Sequence, residues 1–214
     1  MGMNRELILI NGGPCSGRSC LGENLAQQLH TEMSVEHLSV SKVLHAIGRG
    51  ALKSYYSHDI HTHFKSRPGQ QIEDFIMYTV VEEMLERANG TELILLNEFP
   101  ANREQVKDLV ELATFDNRTI TGLLHTEVED SLAIFRMINR PPRSYQSQFT
   151  VSSAEERLKQ RTMDFKAAAL ELSSLDIPFE LIDTSESEDI STRHGFLAVH
   201  QFLDISEERR RADM

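Results

Sequence analysis

A glycine-rich turn follows the first apolar run of the chain and carries the residues best suited to chemistry. The apolar run covers residues 5–11, and the turn GGPCSGRS covers residues 12–19. This turn matches the pattern G-x-x-x-x-G-K-[ST], except that Arg18 replaces the lysine. Backbone N–H groups of such a loop converge on an anion, and the next helix directs its positive dipole end there. The pattern therefore predicts a phosphate site, where Ser19 offers a hydroxyl to Mg²⁺ or phosphate.

A glycine-rich turn between a strand and a helix can also bind nothing. Arg18 keeps the positive charge of the usual lysine, but its planar fork is bulkier than the compact ammonium group that reaches the β- and γ-phosphates. Both interpretations stay open on the loop alone.

Strands and helices alternate along the chain. Apolar runs predict strands at 5–11, 35–40, 91–97, 119–125 and 177–183, with amphipathic helices between them. The serines at 152 and 153 form an overlapping capping box with the glutamates at 155 and 156, so we expect a long helix from there to about residue 172. Residues 48–70 are predicted to be irregular. The pattern predicts a parallel sheet with helices on both faces.

Composition limits the function classes. The 214 residues and 24.4 kDa favour one domain, and 22 Lys and Arg against 33 Asp and Glu give a net charge of −11. This balance argues against a general nucleic-acid or acidic-membrane binder. Two cysteines form no disulfide framework, and no apolar run is long enough to span a membrane. We expect a soluble cytoplasmic protein, and we interpret the arginines at 209–211 as a solvated tail.

The loop resembles that of adenylate kinases and UMP-CMP kinases, and the resemblance extends along nearly the whole chain. The similar segments are HLSVSKVLHA (37–46), LILLNEFPANREQ (93–105), HTEVEDSLAIFRMINR (125–140) and SSAEERL (152–158). The resemblance implies a P-loop three-layer α/β fold with a five-stranded parallel sheet, formed by residues 1–214 as one domain. It also implies a monophosphate-binding insertion at about 41–70, a short lid at about 141–151, and a monomer that acts on nucleotides. The reaction would be Mg²⁺-dependent transfer of the ATP γ-phosphoryl to a nucleoside monophosphate.

The resemblance also implies roles for individual residues. The cofactor-binding residues would be Gly12, Gly13, Pro14, Cys15, Ser16, Gly17, Arg18, Ser19, Cys20 and Arg136. The catalytic residues would be Arg18, Arg140 and Arg157. The substrate-binding residues would be Ser39, His45 and Gln105, with Gln105 reading the base, and Ser19 would also bind Mg²⁺.

Several family positions have changed. His45 and Ala101 stand where the family has arginines in the monophosphate site, and the aspartate and glycine after the third strand are Asn97 and Glu98. The arginine and both carboxylates of the lid pattern are missing from residues 145–149. Three lost arginines correspond to about 5–9 kcal/mol of transition-state stabilisation, or four to six decades in rate. Arg143 and Arg103 are candidate replacements for two of them.

These changes leave three functional hypotheses. The first is a weak or specialised nucleoside monophosphate kinase, and the second is a non-catalytic nucleotide-binding or interaction module of the same fold. The third is a P-loop kinase for a non-nucleotide acceptor. Two smaller features have alternatives too. The histidines at 58, 61 and 63 fit either a metal site or a solvated polar segment, and Cys15 fits either a redox switch or a small residue tolerated in the loop.

Overall fold

Five parallel strands form one sheet, in the order β2-β3-β1-β4-β5. The computed structural model describes residues 5–67, 70–140 and 150–212. Its strands are β1 (Glu6–Gly12), β2 (Val35–Ser39), β3 (Leu93–Asn97), β4 (Thr119–Glu127) and β5 (Phe179–Asp183). Its helices are α1 (Arg18–Leu29), α2 (Val40–Gly48), α3 (Ser57–Ser66), α4 (Asp74–Arg87), α5 (Glu104–Phe115), α6 (Asp130–Asn139), α7 (Val151–Ser173) and α8 (Glu188–Ala212). The predicted α/β fold with a five-stranded parallel sheet is confirmed.

The central strand β1 shows why the molecule has three layers. All seven of its residues are buried, and successive side chains point to opposite faces of the sheet. Leu7 and Leu9 pack into a core with α2, α4, α5 and α7. Ile8 and Ile10 pack into a second core with α1 and α8. The four central positions, residues 7–10, are therefore all apolar, which is typical of a parallel strand covered on both faces.

The order of the strands reverses direction at β1. After β1 the chain passes to β2 on one side of the sheet, whereas β4 and β5 lie on the other side. In open α/β sheets, ligands bind outside the carboxyl ends of the strands at such a reversal of direction. The glycine-rich turn leaves β1 at this point.

The segment predicted to be irregular contains a helix. Residues 57–66 form α3, so the prediction was wrong there. The sequence of α3 is mostly polar, and its buried residues are Ile60 and His63. The apolar periodicity that would predict a helix is therefore weak. Asp59 in the first turn and Lys65 in the last turn complement the helix dipole.

This helix also bears on the proposed metal site. His61 Nδ1 lies 2.8 Å from the Gly48 carbonyl oxygen, and His63 Nε2 lies 3.3 Å from the Gln70 carbonyl oxygen. Within the described parts of the chain, no group of three or more His, Cys, Asp or Glu residues is arranged to hold a metal ion. His61 and His63 thus contact the backbone around α3.

Helix α7 starts differently from the prediction. Its N-cap is Thr150, whose side chain accepts a hydrogen bond from the Ser153 backbone N–H, while the Ser153 hydroxyl receives one from the Thr150 N–H. The capping box therefore begins two residues before Ser152, the first of the predicted capping serines. Residues 141–149 of the predicted lid lie outside the described residues.

The arginines at 209–211 belong to helix α8 and are not a free tail. The buried carboxylate of Glu6 at the start of β1 accepts hydrogen bonds from the Thr121 hydroxyl, the Ser206 hydroxyl and the Arg210 guanidinium. Glu6 is 5% exposed, so its charge depends on these partners. Arg210 therefore ties the last helix to the first strand, a long-range contact that a local reading of the arginine run misses.

Replacing Arg210 by alanine should lower the free energy of unfolding by about 2 kcal/mol, because a buried carboxylate loses its cationic partner. Arg211→Ala is the matched control. Arg211 pairs with Glu207 four residues earlier, and its side chain is 73% exposed, so we expect a loss below about 0.5 kcal/mol. Urea unfolding followed by circular dichroism measures both, and equal losses would contradict the assigned role of Arg210.

Candidate functional site

The loop between β1 and α1 turns tightly against the end of β4. Gly12 has a φ of 147°, and a Cβ atom there would lie 2.3 Å from Thr126 Oγ1 and 2.4 Å from the Thr126 carbonyl oxygen. Gly17, the N-cap of α1, has a φ of 80° and lies in the left-handed region. Glycine is thus required at these two positions for conformational and steric reasons.

Contacts from β4, β5 and α6 fix the remainder of the loop. The Ser16 hydroxyl lies 2.6 Å from Thr126 Oγ1, and the Thr184 hydroxyl donates to the Ser16 carbonyl at 2.8 Å. Arg136 donates to the carbonyls of Cys15 at 3.2 Å and Thr184 at 3.0 Å. These bonds, together with one from the Ser16 backbone N–H to the Gly13 carbonyl at 3.3 Å, hold the loop in one shape.

Helix α1 presents an open N-terminus to this loop. Its N-cap makes no side-chain hydrogen bond, and its first turn carries no acidic residue. The first N–H groups of a helix have no partner within the helix, and together they behave as about half a positive charge. The start of α1 is thus suited to an anion.

Arg18 is buried at the same place. Its side chain is 12% exposed, its guanidinium carbon lies 4.6 Å from the centre of the Phe165 ring, and its Nη2 lies 3.5 Å from Glu98 Oε1. Its Nη1 is buried and has no hydrogen-bond partner among the residues that the structure describes. A buried donor without a partner is costly, and the cost is larger for a charged group. The unpaired Nη1 is therefore available to an acceptor from outside the protein.

Other positively charged side chains lie near the Arg18 guanidinium. Burial lowers the pKa of the Arg18 guanidinium, and the Glu98 carboxylate opposes that effect. The positive charges of Arg161 and Arg140 lower the pKa further. Several positive groups therefore gather around one buried guanidinium, and a polyanion would relieve their repulsion.

A cavity of about 350 Å³ opens over the loop. Its described lining residues are Cys15, Ser16, Gly17, Arg18, Ser19, Cys20, Leu21, Glu98, Arg136, Arg140, Thr184, Glu186, Glu188, Ser191 and Thr192. The sequence-predicted residues 15–20, Arg136 and Arg140 thus share one cavity. Its far wall, from Thr184 to Thr192, consists of hydroxyls and carboxylates.

The arginines predicted from sequence have different surroundings. Arg140 lines the cavity, whereas Arg157 on α7 is half-buried and is not among the described residues that line it. Arg161, one turn later on α7, is close enough to influence the pKa of Arg18, and it donates to Gln71 Oε1 at 3.0 Å. Sequence reasoning missed Arg161, although its spacing of four from Arg157 was a usable signal.

The residues around Ser19 determine which ligands the protein offers to Mg²⁺. Asn97 Nδ2 donates to Ser19 Oγ at 3.2 Å, and Asn97 Oδ1 is buried with no hydrogen-bond partner in the described parts of the chain. The oxygens here are a hydroxyl and an amide, while the neighbouring Glu98 faces Arg18. Magnesium sites in phosphate-transfer enzymes usually include a carboxylate. Ser19 and Asn97 therefore offer only neutral ligands.

The predicted substrate-binding residues do not gather at the cavity. Gln105 is fully buried, its Oε1 accepts from the Ala101 N–H at 2.7 Å, and its Nε2 donates to Asp74 Oδ1 at 2.6 Å. The His45 ring stacks on Phe64 with centroids 5.0 Å apart. In this structure the Gln105 amide is engaged within the protein, so it presents no free edge to a base.

Ser39 and the two cysteines complete the set. The Ser39 hydroxyl donates to Glu98 Oε2 at 3.4 Å. Both cysteines are free thiols, and Cys15 has a left-handed φ of 58° in the loop. Burial and the neighbouring Glu188 raise the pKa of the Cys20 thiol, so Cys20 is poorly suited to act as a nucleophile.

No family model matches the chain, and no curated protein matches it. Across residues 5–67, 70–140 and 150–212, none of the helices has the length and apolar character needed to cross a membrane.

Proposed function

We propose that this chain is a P-loop protein of the adenylate kinase type, which binds ATP through residues 12–19 and transfers its γ-phosphoryl group slowly. One observation carries the proposal: the buried Arg18 guanidinium leaves Nη1 without a partner at the open N-terminus of α1. Free cysteines and a nucleotide ligand both suit the cytoplasm, where we place the protein.

The triphosphate fits the residues present. The loop leaves β1 at the carboxyl edge of the sheet, and the left-handed Gly17 directs the chain into α1. Backbone N–H groups of the first turn of α1 would donate hydrogen bonds to phosphate oxygens. Arg18 Nη1 and Arg140 would add positive charge from the sides of the cavity. The hydroxyls of Thr184, Ser191 and Thr192 line the other side of the cavity and would offer hydrogen bonds to the nucleoside.

Magnesium fits less well. Ser19 Oγ and the unpaired Asn97 Oδ1 are its nearest candidate ligands, and neither carries charge. Bound magnesium would neutralise phosphate charge, and the phosphate oxygens would have to hold most of it. The chain's own contribution is then electrostatic, through the arginines around the cavity.

Slow transfer follows from the acceptor side. Glu98 places a carboxylate beside Arg18, and Asn97 lacks the charge of the family's aspartate. His45 and the buried Ala101 supply no guanidinium to a monophosphate. Positioning and charge neutralisation are the main sources of rate in phosphoryl transfer, so these changes lower the rate directly.

A second candidate is a nucleotide-binding module without turnover. The engaged amide of Gln105 favours it, because the predicted base reader bonds to Ala101 and Asp74 inside the protein. Both candidates share ATP binding and differ in the chemistry that follows.

Calorimetric titration with ATP and Mg²⁺, combined with an assay of ADP formation, tests the proposal. We expect saturable ATP binding, and at 100 times the Kd a gain of about 2.7 kcal/mol in the free energy of unfolding. With AMP, UMP or CMP as acceptor, we expect turnover below about 0.01 s⁻¹, four decades under a typical kinase. Absence of ATP binding would reject both candidates, and binding without turnover above background would leave the second.

A further inference from the structure

Glu98 lies between two groups that attract anions. Its Oε1 is 3.5 Å from Arg18 Nη2, and its Oε2 accepts a hydrogen bond from the Ser41 backbone N–H at 2.9 Å. The Ser39 hydroxyl also donates to Oε2, at 3.4 Å. One carboxylate thus occupies a position bounded by a guanidinium and by the first turn of α2, the surroundings that a phosphate group would require.

Helix α2 lacks an anion of its own. Its N-cap Ser39 makes no side-chain capping bond, and its first turn contains no acidic residue. Glu98, which follows β3, supplies the missing acceptor from another element. The Glu98 carboxylate therefore occupies the anion position at the start of α2, which is the second such position after the one at the start of α1.

The backbone of Glu98 shows that this placement is specific. Glu98 has a φ of 75°, a conformation that L-residues with a side chain rarely adopt. Glycine would adopt it without strain. Contacts of the carboxylate with Arg18 and Ser41 hold a residue type that the local backbone disfavours.

Arg18 serves two positions through its two terminal nitrogens. Nη2 faces Glu98, whereas Nη1 is buried without a partner. The cavity at the start of α1 can therefore receive one anionic ligand while the position beside α2 stays filled. An anionic acceptor approaching that second position would meet a negative charge.

We propose that Glu98 is a specificity-determining residue, an internal carboxylate that excludes phosphate-bearing acceptors from the position between Arg18 and the N-terminus of α2. The inference rests on the proposed function, since it assigns the first position to the triphosphate of ATP. The chain then binds one polyphosphate ligand well and a second phosphate-bearing ligand poorly.

The test compares ATP with a bisubstrate dinucleotide, two adenosines joined by five phosphates, in calorimetric titrations. For the unchanged protein we expect the two Kd values to agree within about threefold, because the second adenosine and the added phosphates of the dinucleotide make no favourable contact beside Glu98. In Glu98→Gly, which suits the backbone and removes the carboxylate, we expect the dinucleotide to bind at least about tenfold more tightly than ATP. Glu98→Gln keeps the hydrogen bond with Ser41 but removes the charge, and we expect a gain in the same direction.

Glu207→Gln is the matched control, since Glu207 is an exposed, ion-paired glutamate on α8. It should leave the ratio of the two Kd values unchanged. Thermal melting of each variant verifies folding. A ratio unchanged in both Glu98 variants, or a dinucleotide preference above about tenfold in the unchanged protein, would overturn the inference while ATP binding stands. Absence of ATP binding by the unchanged protein would reject the proposed function, and with it the inference that rests on it.

Discussion

Replacing Arg18 by alanine should weaken ATP binding by at least about 30-fold. A hydrogen bond to a charged group contributes about 1.5–3 kcal/mol, and 2 kcal/mol corresponds to this factor. The guanidinium is already buried against Phe165, so a phosphate that binds it displaces little water and keeps most of the interaction energy. Calorimetric titration with ATP measures the change in Kd.

Two further variants define the origin of the effect. Arg18→Lys keeps the positive charge and restores the residue of the usual phosphate-loop pattern, so we expect affinity within about fivefold of the unchanged protein. Arg49→Ala removes an exposed arginine at the end of α2 and should leave Kd unchanged. ATP binding by Arg18→Ala at full affinity would show that the unpaired Nη1 is not part of the site.

Much of the fold could be predicted because the buried strands are continuous apolar runs. Residues of β1 and β3 are buried without exception, and each must be apolar or hydrogen-bonded inside the sheet. All five strands appear close to their predicted positions. A buried strand can be recognised from a short stretch of sequence, because burial on both faces restricts the residue type at each position.

The parts that sequence reasoning missed depend on distant partners. Helix α3 is polar and buries only Ile60 and His63, so its periodicity is faint. The role of Arg210 depends on Glu6, which is 204 positions away in sequence. No pattern within a short window contains such a pair.

The candidate site also contains one part that a local sequence pattern predicts and another that depends on contacts between distant residues. The loop at 12–19 is a contiguous motif that lies, as predicted, between a strand and a helix. The pairing of Arg18 with Glu98 joins two substituted positions, and only the folded chain brings them within 3.5 Å. Gln105 has the residue type of a base reader, yet its contacts with Ala101 and Asp74 use both ends of its amide.

Gly12→Ala should destabilise the protein by about 3 kcal/mol and remove ATP binding. The new Cβ would lie 2.4 Å from the Thr126 carbonyl oxygen, a backbone atom that is held in the β4 strand opposite Gly12. The same Cβ would lie 2.8 Å from Ser16 Oγ, so the loop must shift away from its bond with Thr126. A φ of 147° adds strain for any residue with a side chain.

Gly13→Ala is the matched control, one residue along the same loop. Its Cβ would meet Thr162 Oγ1 at 2.9 Å, and that hydroxyl belongs to a side chain that can rotate away. We therefore expect a loss below about 1 kcal/mol and retained ATP binding. Urea unfolding and calorimetric titration of both variants separate the two positions. Equal losses would show that the close approach of Gly12 to β4 does not determine the loop, and the phosphate site would then need another anchor than the contact with Thr126.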